Sequence, residues 1–139
     1  MEWLAQNGLS VFLTVLFMVL VLRGPILGRV FHVEYLSVHA LAERMKGNQP
    51  LLMLDVRTSG EYAAEHIQGT WNCPLSELSG RIEEVRAKAA SGREVVVICR
   101  SGARSLNGAV TLKRAGFAKV YNLSGGMLQW KAQGYPVRS

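Results

Sequence analysis

A cysteine with two nearby arginines is the feature of this sequence that points most directly to chemistry. Cys99 follows an apolar run at residues 95–98 and precedes Arg100 and Arg104. Because a helix-like segment begins at Arg104, Cys99 is expected between a strand and a helix, facing backbone N–H groups and the positive end of the helix dipole. Both features lower the pKa of a thiol, and the thiolate is its nucleophilic form. The sequence therefore predicts a reactive cysteine in a positively charged loop.

The segments around this loop alternate between strand-like and helix-like patterns. Apolar runs predict strands at 51–56, 70–73, 94–98 and 119–123. Apolar periodicity, capping residues and glycine stops predict helices at 38–46, 59–66, 79–90, 104–115 and 124–133. Such alternation predicts an α/β fold with a mainly parallel central sheet flanked by helices. Sites in these sheets lie beyond the carboxyl ends of central strands, which is where Cys99 falls.

Composition excludes several classes of function. The chain has 139 residues, which is room for one ordinary domain, and a formal net charge of +6. Its basic residues are scattered without an aromatic and basic stripe, so nucleic-acid binding is not predicted. The two cysteines and three histidines lack metal-ligand spacing, so neither a metal site nor a cofactor is predicted. A disulfide stays open on count alone, whereas the simpler interpretation of Cys73 is a small buried core residue.

An apolar segment opens the chain. Residues 3–22 carry no charged side chain and have about the length of a bilayer span. A signal peptide is the alternative, but the amino terminus carries Glu2 without a basic residue, and no small-residue cleavage site follows. An uncleaved, single-pass transmembrane anchor is therefore favoured.

The charge distribution predicts how this anchor is oriented. All 16 Lys and Arg residues lie after the apolar segment, so the positive-inside rule predicts a cell-membrane protein, in a bacterium an inner-membrane protein, with its body on the cytoplasmic side. The sequence Gly24-Pro25 is expected to end the helix. The predicted organisation is an anchor at 1–23, a linker at 24–34 and a folded domain at 35–139.

Four motifs of the body, taken in order, resemble the single-domain rhodanese family. The segment 54–57 followed by Glu61-Tyr62 resembles the first signature of that family, and 66–75 resembles the segment usually written GHIPGAINIP. The segment 99–105 resembles the active-site loop, and 122–127 with Trp130 resembles the closing signature. Departures at Glu65, Gln68 and Cys73 lie outside the loop. The resemblance implies a rhodanese-like three-layer fold and sulfurtransferase activity.

The implied reaction is covalent sulfur transfer without a cofactor. The Cys99 thiolate would take the outer sulfur of a donor such as thiosulfate, hold it as a persulfide and pass it to a thiol or another thiophilic acceptor. The expected partners are thus a small anionic donor, a small-molecule or protein acceptor and, through residues 3–22, a lipid bilayer. Backbone N–H groups of the loop suit a persulfide anion, and its arginines suit an anionic donor. The predicted substrate-binding residues are Arg100, Ser101, Gly102, Ala103, Arg104 and Ser105.

Two further residues are expected near the site. Asp55 and Arg57 follow another strand at the same edge of the sheet. We expect them to form a salt bridge that orders the neighbouring loops.

Three other functions were weighed against sulfur transfer. Protein tyrosine phosphatases use Cys-x5-Arg, whereas Cys99 and Arg104 are separated by four residues, and a smaller loop suits one sulfur better than a phosphate. A non-catalytic, membrane-tethered docking module stays open. So does a redox relay between Cys73 and Cys99, which requires their Cα atoms to lie within about 7 Å.

Overall fold

The computed structural model describes residues 2–47, 51–90 and 93–139, and the side chains of its first helix from Gln6 to Leu22. The strands are β1 (Glu34–Leu36), β2 (Leu51–Asp55), β3 (Trp71–Asn72), β4 (Glu94–Ile98) and β5 (Val120–Leu123). They form one parallel sheet in the order β1-β5-β4-β2-β3. The predicted α/β fold with a parallel central sheet is confirmed. Strand β1 was not predicted, since three residues are too few to show a pattern.

Helices cover both faces of the sheet. They are α1 (Glu2–Val30), α2 (Val38–Lys46), α3 (Ser59–Ala64), α4 (Leu75–Leu78), α5 (Ile82–Lys88), α6 (Ala103–Arg114) and α7 (Gly126–Ala132). Buried residues of α4, α5 and α6 pack against one face, and those of α2 and α7 pack against the other. Residues 95–98 of β4 are buried on both faces, as expected for a central parallel strand.

Local signals explain where the helices begin. The Ser37 hydroxyl accepts a hydrogen bond from the Ala40 N–H, and Thr58 forms a capping box with Glu61. The predicted helix at 79–90 is wrong at its start, because Pro74 caps α4 and a 3₁₀ turn at Ser79–Arg81 separates α4 from α5. Pro74 lies directly before the first helical residue with an extended ψ of 144°, and Gly80 in the 3₁₀ turn weakens a continuous α-helix.

The structure corrects the predicted linker at 24–34. Helix α1 continues through Gly24 and Pro25 to Val30, Val33 lies in the core, and Glu34 begins β1. A proline removes one backbone hydrogen bond but keeps a helical φ, so the turns on either side can continue the helix. The folded domain therefore begins before residue 35.

The structure does not support the predicted transmembrane helix. Among the residues described, no helix combines the length and the hydropathy that a bilayer span requires. Residues 3–5 of the predicted span lie outside the residues whose side chains are described.

Candidate active site

Cys99 lies at the carboxyl edge of the sheet, directly after β4. Strand β4 is flanked by β5 and β2, so the loop that follows it opens where ligands bind in parallel sheets. The chain turns from strand to helix through Gly102, which has a φ of +104° and precedes the first residue of α6. Glycine adopts this conformation without a steric penalty. The structure thus places the predicted loop residues around Cys99.

Hydrogen-bonding groups converge on the sulfur of Cys99. Its Sγ accepts a hydrogen bond from the Gly102 N–H at 3.0 Å and lies 3.2 Å from the Ser105 Oγ. Burial alone would raise the pKa of Cys99, but the Ser105 hydroxyl and the N–H groups of Ser105, Gly102 and Ser101 together bring it below the usual value of 9.0. The residue is 1% exposed. The site can therefore hold a sulfur anion in a largely dry place.

Asn122, which was not among the predicted site residues, forms hydrogen bonds with two of the residues around the sulfur. It lies on β5 opposite Val97 of β4 and is 2% exposed. Its Nδ2 donates to the Gly102 carbonyl at 3.0 Å, and its Oδ1 accepts a hydrogen bond from the Ser105 hydroxyl. Its position in the closing signature was the only sequence signal, because the contact spans 17 residues.

The start of α7 is bonded to the backbone of the loop. The N–H of Met127 donates to the Cys99 carbonyl at 2.9 Å, and that of Leu128 donates to the Arg100 carbonyl at 3.0 Å. Gly125 and Gly126 make this approach with φ values of +74° and +55°. The carbonyl groups of Cys99 and Arg100 are therefore bonded to α7, while the N–H of Gly102 donates to the sulfur. Sequence analysis missed this role of the glycine pair.

Arg104 forms an ion pair with a residue that sequence analysis did not select. Its guanidinium donates two hydrogen bonds to the Glu61 carboxylate, at 2.7 and 2.9 Å. The hydrogen bond from Arg104 lowers the pKa of Glu61 to about 2, against partial burial and with help from Thr58. Arg104 thus joins α6 to α3, and much of its charge is neutralised.

Glu61→Gln is expected to remove a pH-dependent part of the stability. Because the folded pKa of about 2 lies below the ordinary 4.5, the ionised carboxylate stabilises the fold above pH 4.5, and this contribution is lost between pH 4.5 and 2. The thermal midpoint of the variant should fall less steeply across that window. Glu83→Gln is the control for removing a surface carboxylate. Identical pH profiles of wild type and Glu61→Gln would contradict the assignment.

Asp55 and Arg57 form a buried ion pair. The Arg57 Nη2 lies 2.8 Å from the Asp55 Oδ2, and the two side chains are 5% and 0% exposed. The same nitrogen donates to the Glu65 carbonyl at 2.7 Å, at the end of α3. The pair thereby orders the segment between β2 and α3. Its charges are satisfied internally, so Arg57 offers little net charge to a ligand.

Arg100 is the loop arginine that faces solvent. It lines a pocket of about 380 Å³ together with Arg57, Glu61, Ala64, Glu65, Met127, Leu128 and Lys131. Lys131 forms an ion pair with Glu65. Within the described parts of the chain, the Arg100 guanidinium has no hydrogen-bond or ion-pair partner. Arg100, which follows Cys99 directly in the chain, therefore carries a positive charge that is not paired within the described residues.

Cys73 and Cys99 are both free and buried. Asn72 pairs with Asp55, which pairs with Ile98, so the two cysteines follow strands that are two spacings apart. That separation is about 10 Å, beyond the reach of a disulfide without backbone movement. Burial also raises the pKa of Cys73. The structure therefore does not favour a direct redox relay.

Known proteins share this fold. A rhodanese-like domain profile matches residues 37–133. The chain is 31% identical over 105 residues to a sulfurtransferase of Allochromatium vinosum. The aligned region covers 76% of this chain and 94% of that protein. It is 34% identical over 96 residues to thiosulfate sulfurtransferase 18 of Arabidopsis thaliana, covering 62% and 71%.

A solved structure of a sulfurtransferase has a similar fold. The crystal structure of thiosulfate sulfurtransferase from Pseudomonas aeruginosa superposes with a TM-score of 0.72 and 25% identity, covering 83% of this chain and 22% of that one. The names of these relatives support sulfur transfer in general. By its matched residues and its fold, the chain belongs to the rhodanese-like domain family.

Proposed function

We propose that the protein is a thiosulfate-type sulfurtransferase that carries sulfur as a persulfide on Cys99. The observation that carries the proposal is the convergence of the Gly102 N–H and the Ser105 hydroxyl on the buried Cys99 sulfur. The thiolate attacks the outer sulfur of thiosulfate. A bond forms between Sγ and that sulfur, the sulfur–sulfur bond of the donor breaks, and sulfite leaves with the electron pair. The N–H groups of the loop stabilise the negative charge throughout.

The second half of the reaction returns the site to its starting state. A thiophilic acceptor, cyanide or a thiolate, attacks the outer sulfur, and the electron pair of the breaking bond returns to Sγ. Neither half needs a general base when the thiol is already ionised. The His66 ring is engaged elsewhere, since its Nδ1 lies 2.8 Å from the Tyr62 carbonyl and its ring stacks on that of Tyr62.

Mass spectrometry of the full chain tests the proposal. Incubation with thiosulfate should add the mass of one sulfur atom, and cyanide should remove it. Cys99→Ser should stay unmodified, whereas the matched variant Cys73→Ala should be modified like the wild type. Failure of thiosulfate and of other sulfane donors to modify the protein would refute the proposal, and so would modification of Cys99→Ser.

Arg100→Gln is expected to raise the KM for thiosulfate about fivefold and to change kcat less than about twofold. Arg100 follows Cys99 in the chain and its guanidinium lines an open pocket without an ion-pair partner among the described residues, whereas that of Arg104 is held by Glu61. Steady-state kinetics with cyanide as acceptor measure both constants. Lys113→Gln, the control, removes the same charge from the end of α6 remote from Cys99. An unchanged KM, or an equal rise in the control, would contradict this role of Arg100.

We also propose that α1 attaches the domain to the cytoplasmic side of a membrane. Large apolar side chains at 9, 11–13 and 15–22 are exposed, with Leu9 at 73% and Phe17 at 67%. Exposed apolar surface of this extent is typical of a protein or lipid contact. The net charge of +6 favours an anionic lipid surface as the partner.

Vesicle flotation tests this attachment. The full chain should float with vesicles of mixed neutral and anionic lipids, and Leu13→Asp combined with Phe17→Asp should abolish flotation. Met45→Asp, which changes an exposed apolar residue of α2, should still float. In bacterial spheroplasts the domain should resist protease added outside. Wild-type protein that stays with the unbound fraction would refute the proposal.

A further inference from the structure

We propose that Asn122 is a positioning residue that competes with the Cys99 sulfur for the single hydroxyl proton of Ser105, and thereby favours the sulfur-loaded protein over the free thiolate. The competition for the proton stands on the contacts alone, whereas the preference for the sulfur-loaded protein rests on the proposed function. It concerns a buried amide that lies behind the loop rather than in it.

The contacts form a closed ring. The Asn122 Nδ2 donates to the Gly102 carbonyl at 3.0 Å, and the Gly102 N–H donates to the Cys99 Sγ at 3.0 Å. On the other side, the Asn122 Oδ1 accepts from the Ser105 hydroxyl, whose oxygen lies 3.2 Å from the same Sγ. A carbonyl can only accept, so the Gly102 carbonyl fixes which end of the amide is Nδ2. The Oδ1 therefore faces Ser105.

The hydroxyl of Ser105 has one proton and two acceptors. With Cys99 as a thiol, every group is satisfied, because the thiol donates to the Ser105 Oγ and Ser105 donates to Asn122. With Cys99 as a thiolate, Sγ can only accept. Ser105 must then either turn its proton to the sulfur and leave the buried Oδ1 without its donor, or keep it on Asn122 and withhold it from the thiolate. Asn122 therefore limits how far Ser105 stabilises the thiolate.

Loading with sulfur removes this conflict. In the persulfide the negative charge lies on the outer sulfur, and the inner Sγ becomes a neutral, weak acceptor. The Ser105 proton can return to Asn122 without loss to the charged atom. The amide is thus satisfied in the loaded state and strained in the free thiolate, which shifts the balance toward the loaded state.

The pKa of Cys99, measured in the full chain, shows whether Asn122 competes for the Ser105 proton or only holds the loop in place. The rate of iodoacetamide modification at Cys99, followed by peptide mass spectrometry, gives this pKa for each variant. Asn122→Ala should lower it by about 0.5 to 1 unit, a three- to tenfold change in the ionisation constant. Ser105→Ala should raise it. The double variant should match Ser105→Ala, because Asn122 acts through the hydroxyl.

If Asn122 had only a structural role, its removal would change the pKa of Cys99 in the opposite direction. If Asn122 merely held Gly102 in place, its removal would loosen the Gly102 N–H and raise the pKa of Cys99. A rise in Asn122→Ala, or a double variant that differs from Ser105→Ala, would overturn the proposal. Asn122→Leu, which keeps the buried volume, gives the same comparison should the alanine variant not fold.

The fraction of Cys99 that carries a persulfide tests whether Asn122 favours the sulfur-loaded protein. At a pH above the pKa of Cys99 in both proteins and at a fixed ratio of thiosulfate to sulfite, the ratio of persulfide to free Cys99 in Asn122→Ala should be about three- to tenfold below that of the wild type. An unchanged ratio would overturn this preference. If the wild type accepts no sulfur at all, the proposed function fails, while the pKa comparison still decides whether the hydroxyl is shared.

Discussion

Gly126→Ala is expected to separate α7 from the loop that carries Cys99 and to destabilise the protein by about 3 to 5 kcal/mol. Gly126 has a φ of +55°, which a residue with a Cβ adopts at a cost. A Cβ there would overlap the Cys99 carbonyl oxygen and lie 2.6 Å from that of Arg100. Since both contacts are backbone, the helix or the loop must move, and the hydrogen bonds from Met127 and Leu128 are lost together.

Chemical denaturation and sulfur loading measure this effect. The variant should show a lower free energy of unfolding, and the part that stays folded should load sulfur poorly, because the loop N–H groups lose their orientation. Gly80→Ala is the control, since among the described residues no atom outside its own turn lies within 4 Å of the added Cβ. A Gly126→Ala protein as stable and as readily loaded as the wild type would show that this junction does not hold the loop.

Asp55→Ala is the second change with a large expected effect, a loss of about 3 to 5 kcal/mol in the free energy of unfolding. The substitution leaves the Arg57 guanidinium buried without its carboxylate. The Glu65 carbonyl still accepts from Arg57 but cannot balance the charge. Removal of both charges in Asp55→Ala combined with Arg57→Met should cost less than Asp55→Ala alone, because no uncompensated ion remains.

The double-variant comparison makes this result decisive. Urea unfolding of the wild type, both single variants and the double variant gives the coupling between the two residues. A double variant as unstable as the sum of the singles would show that Asp55 and Arg57 stabilise the fold independently. In that case the order between β2 and α3 would have another source.

Sequence patterns predicted the elements that carry their own signals. Strand β4 has the predicted bounds because its run of β-branched residues is distinctive, and α2 has them because Ser37 and Gly47 mark its ends. The place of Cys99 followed from that strand and from the glycine at 102. Strand β1 could not be predicted, because its three residues carry no strand pattern of their own. It is a strand because it pairs with β5.

The partners of the site residues were beyond the reach of local patterns. Glu61 lies 43 residues from Arg104 along the chain, and its capping box with Thr58 already gave it a local explanation. Arg104 was expected either to organise the loop or to bind substrate, and its ion pair with Glu61 fits the first of these roles. Asn122 and Gly126 act through backbone and hydroxyl groups that become neighbours only when β5 lies beside β4. Such contacts follow from topology rather than from spacing.

The order of strands also sets when the site can form during synthesis. Strand β5 lies between β1, the first strand to be made, and β4. Until residues 120–123 have emerged from the ribosome, β1 lacks its neighbour, and the amide that holds Gly102 and Ser105 is absent. The donors of α7 arrive later still. The loop that follows β4 therefore gains its full set of contacts only when the last elements have folded.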